Sequence, residues 1–105
     1  MSASEELLAF QLKAAKIKFE REFRFHPTRF WRVDFRIEGV PLLVEIHGGQ
    51  WMRGKSGHSS GSGLARDWDK SNNAQLLGYT YLQFGTAQVK SGEALKTIEA
   101  AIRPR

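Results

Sequence analysis

The sequence contains no cysteine. Disulfides and cysteine-ligated zinc are thereby excluded, and the absence fits a cytoplasmic protein, where thiols stay reduced. No apolar run of about 18 residues occurs, so no membrane-spanning helix is expected. The opening residues, MSASEELLAF, are acidic where a secretory leader is basic, and no secretory signal is expected. Nor is there an internal repeat or a compositional break. A chain of 105 residues can hold one core with three or four strands and a few helices, so a single domain over 1–105 is expected.

What the sequence has instead is positive charge: a net +5 from 16 Lys and Arg against 11 Asp and Glu. A small basic domain points to a polyanionic partner, nucleic acid first, although a merely soluble basic protein has the same composition.

The apolar spacing organises the rest. Residues 4 to about 18 read as a helix, capped by Ser2 or Ser4, with Glu5 three positions after Ser2. Glu5, Leu8, Leu12 and Ala15 share one stripe, while Glu6 falls towards water. On the helix alone, Glu5 reads better as an acid favoured by the dipole of the first turn. A short strand is expected around residues 22–25, then a turn at His26-Pro27-Thr28, since Pro27 keeps His26 out of helical geometry.

The stretch FWRVDFRIEGVPLLVEIHGGQW, residues 30–51, carries the strongest pattern. Trp31, Val33, Phe35 and Ile37 alternate with Arg32, Asp34 and Arg36. Past Glu38-Gly39, Val40, Leu42, Val44 and Ile46 alternate with Leu43, Glu45 and His47. This is a hairpin of period two. Its apolar sets share a face only if odd positions of the first strand pair with even positions of the second. That register gathers Asp34, Glu45 and His47 on the other face. Residues 48–63 are rich in Gly and Ser and read as a long mobile loop, of a length that is usually functional or disordered, without the spacing of a phosphate-binding P-loop. Residues 64–77 read as a helix ended by Gly78, residues 79–84 as a strand, and SGEALKTIEAAI as a closing helix.

Two carboxylates brought together repel each other unless something neutralises them. A divalent cation does so, and hard oxygen ligands suit Mg2+. The alternative is a solvated face on which Asp34 pairs with Arg32 or Arg36. Glu45, however, lies inside the apolar run LLVEIHGG, and a buried carboxylate needs partners.

An Asp followed by a Glu on a hairpin, after a glutamate-bearing helix, resembles the PD-(D/E)XK nuclease pattern. More closely, RFWRVDF, LLVEIHGG, GHSSGSG, DWDKSNNA and LLGYTYLQF, in that order along nearly the whole chain, resemble small phage-type endonucleases of that superfamily. The resemblance implies an α/β fold, a PD-(D/E)XK restriction-endonuclease-like core with a mixed β-sheet flanked by helices. It implies cleavage of DNA dependent on Mg2+ (or Mn2+), products with 5′-phosphate ends, and action in the cytoplasm, the host's if the chain is phage-encoded. Asp34, Glu45 and Glu5 match the metal-binding acids. His47 stands where members often have the lysine that orients water. It is a metal ligand, a general base or a water-positioner, or else a spacer that weakens activity.

Lys70 is the candidate to replace that lysine. It shares a helical stripe with Asp67, Ala74 and Leu77, and an inward lysine wants an anionic partner; otherwise it forms an ordinary Asp67–Lys70 pair. His58 matches a family position in the loop, as a contact to DNA or as a solvated side chain. Arg29, Arg32, Arg36, Arg53, Lys55 and Arg66 cluster around these blocks, where cations must draw in a phosphate backbone that the acids repel. Such contacts position DNA without reading its sequence. Selectivity for a junction, a nick or a single strand is therefore expected over sequence selectivity. Trp51 and Trp68 are able to stack on bases, though Trp68 reads better as a core or interface residue. So small an enzyme has little surface for a duplex, and a homodimer would supply it. The rival is a nuclease fold that binds DNA with catalysis weakened, which His47 favours.

Overall fold

The structure, a computed structural model, describes residues 2–48 and 61–103. The elements run α1 (Ala3–Ala14), β1 (Phe19–Arg24), β2 (Arg32–Ile37), β3 (Leu42–His47), α2 (Gly61–Leu76), β4 (Thr80–Gly85), α3 (Thr86–Ser91) and α4 (Glu93–Ile102). One sheet of order β1-β2-β3-β4 results, antiparallel through β3 and parallel between β3 and β4. A parallel neighbour requires a crossover, and α2 provides it. The sheet is therefore mixed, as expected. No helix among the described residues is long and apolar enough to cross a membrane.

Ser2 is the cap of α1, its hydroxyl accepting from the Glu5 amide at 3.1 Å. The helix stops several residues before the expected 18. Lys16 takes a left-handed φ of 64°. Its amide donates to Lys13 O, and that of Ile17 donates to Leu12 O. This is a Schellman closure, and Ile17 joins the core beside Leu12. Lysine replaces the glycine that would have signalled it.

The β2–β3 register pairs Phe35 with Val44 and Ile37 with Leu42, odd with even as the pattern requires. Gly39, with a φ of 89°, makes the turn that a side chain would strain. The first strand begins at Phe19, earlier than expected. The closing helix is α4, as expected; α3 is a further short helix before it, separated from it by Gly92 in the left-handed region.

The core has two layers. On one face of the sheet, Leu8 and Leu12 of α1, Val89 of α3 and Ala94 and Ile98 of α4 pack on Phe35, Ile37, Leu42 and Val44. On the other, Ala74 of α2 covers Phe25, Val33 and Leu43. Strict alternation along β2 thus fails. Val33 and Trp31 belong to the α2 side and Phe35 to the α1 side, although they share parity. Phe19 and Phe23 of β1 divide in the same way.

The pivot lies between the pairs Arg21↔Phe35 and Phe23↔Val33. There Glu22 takes a φ of 52°, and the two-stranded ribbon turns over. Phe35 anchors the larger layer, fully buried and edge-to-face with Phe19 at 5.3 Å. Phe35→Ala is expected to lower the unfolding free energy by about 3–5 kcal/mol, read from urea denaturation.

Candidate functional site

The turnover of β1 and β2 puts two acids at its pivot. Glu22 and Asp34 stand there with Glu5 of α1, and one carboxylate oxygen from each lies within 4.8 Å of the others. Each arrives for a local reason. Glu5 is 6% exposed because it leads the apolar stripe of α1. A bond of 2.8 Å between the Ser4 and Thr86 hydroxyls ties the first turn of α1 to that of α3. Asp34 is held by the Ile46 amide, which donates to its Oδ2 at 2.7 Å. Glu22 is exposed and keeps a left-handed backbone that costs a non-glycine residue about 1–2 kcal/mol. Such strain concentrates at working sites.

Burial pushes the Asp34 carboxyl up to about 6, against the Ile46 bond, and Glu45, Glu5 and Glu22 add to the rise. A cation is close by. Arg21 reaches Glu6 at 2.8 Å and Glu5 at 3.4 Å. It holds the exposed Glu6 carboxyl below its usual range by hydrogen bonding. Oxygen donors gathered in this way suit Mg2+ or Mn2+.

Glu45 lies on the α2 side of β3, near enough to raise Asp34. Its Oε1 accepts from Lys70 Nζ at 3.0 Å and from Tyr81 OH at 3.1 Å. Both donors use the same oxygen, and among the described residues Oε2 has no donor. Lys70 therefore pairs with Glu45 rather than with Asp67, and both side chains are 18% exposed. Burial first, then the Glu45 charge, pushes the Tyr81 hydroxyl far above its usual range, so it remains a donor. His47 shares the Glu45 side of β3 and bonds Gln83 of β4, Nε2 to Oε1, at 2.7 Å. With Nε2 donating to that oxygen, Nδ1 would be the ring nitrogen left to accept.

The basic residues have different settings. Arg32 and Arg66 are exposed. Arg29 stacks on Trp31 at 4.1 Å and meets Asp69 at 3.5 Å. Arg36 lies over Phe23 and reaches Glu20 at 3.9 Å. Arg53, Lys55, His58 and Trp51 lie outside the described residues. Trp68 is no core residue of this chain. It is 61% exposed, because the inward stripe of α2 runs through Lys70 and Ala74 instead. Sequence reasoning passed over Glu22, Tyr81 and Gln83. In β1, Glu22 alternates with Phe19, Arg21 and Phe23 like any solvent-facing residue. Only the register that sets Tyr81 and Gln83 beside Leu43 and Glu45 marks them as partners.

No protein-family model matches the chain, and no curated protein sequence matches it. Among solved structures, it is similar to the catalytic domain of the homing endonuclease I-Bth0305I. The TM-score is 0.66 at 18% identity, over 95% of this chain and 92% of that one. At that identity the likeness establishes a shared fold: a mixed four-stranded sheet between helices.

Proposed function

We propose that this chain is a metal-dependent endodeoxyribonuclease of the PD-(D/E)XK type, hydrolysing phosphodiesters with selectivity for DNA structure rather than sequence. The observation that carries the reading is the convergence of Glu5, Glu22 and Asp34 within 4.8 Å. Its support is a fold shared with a homing endonuclease catalytic domain and a net charge of +5.

Glu5, Glu22 and Asp34 would hold Mg2+ or Mn2+, with Glu45 offering Oε2 from the adjoining strand. When bound, such a cation polarises a phosphodiester and lowers the pKa of water. The chain's own groups do the remainder. The Ile46 amide fixes the Asp34 carboxylate, while Lys70 and Tyr81 fix Glu45. Lys70 Nζ would orient water, and His47 Nδ1 would take its proton. Arg29, Arg32, Arg36 and Arg66, with Arg53, Lys55 and His58 of the sequence between β3 and α2, would draw in the phosphate backbone.

The test is cleavage of supercoiled plasmid, single strands and four-way junctions with Mg2+, Mn2+ or EDTA. Glu22→Gln is the diagnostic variant. It is expected to weaken Mn2+ binding about tenfold or more, read by calorimetry, and to slow cleavage in parallel. A purified protein that binds DNA and cuts none of these would leave only the weakened DNA-binding module.

A further inference from the structure

The outer face of α2 carries an unused feature. Trp68 is 61% exposed, and it makes no ring contact with another aromatic among the described residues. It stands as a ridge between two clefts. One, of about 480 Å³, runs to His47 and Gln83 and is also lined by Asp67 and Asn72. The other, of about 470 Å³, includes Arg66 and again Asn72. Both volumes fall in the range of clefts that hold small aromatic ligands, about 300–1,000 Å³.

From this we infer that Trp68 is a stacking platform for an unpaired nucleobase, seated in the cleft that ends at His47. An indole open to a cleft on either side offers a π-face to any base. Asn72, one helical turn on, presents an amide able to donate to and accept from a base edge. Asp67 is an acceptor for exocyclic amino groups. Arg66, in the second cleft, is placed for the phosphate of the same strand, and the neighbouring Asp69 is already paired with Arg29. A base paired within a duplex cannot enter such a cleft, so the platform selects unpaired DNA. This names the strand state of the substrate proposed above and rests on that reading.

The experiment is anisotropy binding in EDTA with the full chain and three labelled oligonucleotides: an intact single strand, the same strand with several abasic sites, and a blunt duplex. The wild-type protein is expected to prefer the intact over the abasic strand by about tenfold or more, the order expected of a stacked base. Trp68→Ala should reduce the intact strand to the abasic level and leave abasic and duplex affinities nearly unchanged. Trp68→Phe, which keeps a π-face, should recover most of the preference. A wild-type protein blind to abasic sites, a Trp68→Ala protein that still discriminates, or an equal loss on all three ligands overturns the inference. The readout needs no cleavage. Discrimination without cutting would sink the nuclease reading alone, and cutting without discrimination would sink this one alone.

Discussion

Asp34→Asn should reduce metal-dependent cleavage by about 10³-fold or more, the scale of losing several kcal/mol of charge stabilisation at the phosphate. The same change should stabilise the metal-free protein at neutral pH. Burial and three neighbouring acids raise the Asp34 carboxyl from an ordinary 3.8 to about 6. The folded state therefore holds this proton more tightly than the unfolded chain does. Its contribution to stability is fully present below pH 4 and is lost as pH rises through about 6. Asparagine keeps the shape and an oxygen for the Ile46 amide, and it removes the charge.

Thermal melts in EDTA should accordingly show the variant above wild type at pH 7.5, with the gap closing towards pH 4. Mg2+ or Mn2+ should raise the melting temperature of wild type and leave that of the variant nearly still, because only a cation bound in the folded state stabilises it. Equal metal shifts in the two proteins, or cleavage by the variant at the wild-type rate, would rule out Asp34 as a metal ligand.

Lys70→Met has the second-largest expected effect. Its ammonium is one of two donors to a Glu45 oxygen in a pair only 18% exposed on each side. Without it, Tyr81 is the carboxylate's one donor among the described residues. A loss of about 1–3 kcal/mol is expected for stranding a charged acceptor. In a domain of this size each kcal/mol lowers the melting temperature by roughly 4–8 °C. Cleavage should fall by about 10²-fold or more if Lys70 also orients the attacking water. The double variant Lys70→Met/Glu45→Gln isolates the structural role, because it removes both charges of the pair: stability should return. Cleavage by Lys70→Met at the wild-type rate would make Lys70 a structural residue only.

Much of this was legible along the chain, for reasons of periodicity. The β2–β3 register follows from a side-chain period of two, since a slip of one residue would have buried Arg36. Glu5 was readable as an inward acid because it leads the stripe of Leu8 and Leu12. Lys70 was readable as a lysine in need of an anion because it falls on the stripe of Ala74. Local patterning fails where the backbone departs from its mean geometry. Lys16 ends α1 in a conformation expected of glycine. Glu22 does the same inside a strand, and the faces of β1 and β2 exchange there.

The sequence by itself determined the main helices and strands, α3 excepted, the pairing of the central hairpin, and the apolar stripes that carry Glu5 and Lys70. Each of these depends on residues within one or two turns or one strand pair. Only the tertiary structure decided that Glu22 joins Glu5 and Asp34, that Tyr81 shares Glu45 with Lys70, and that Trp68 stands in the open between two clefts. Those outcomes follow from the turning of a two-stranded ribbon and from the crossover that brings β4 beside β3. Both are long-range arrangements that no local period encodes.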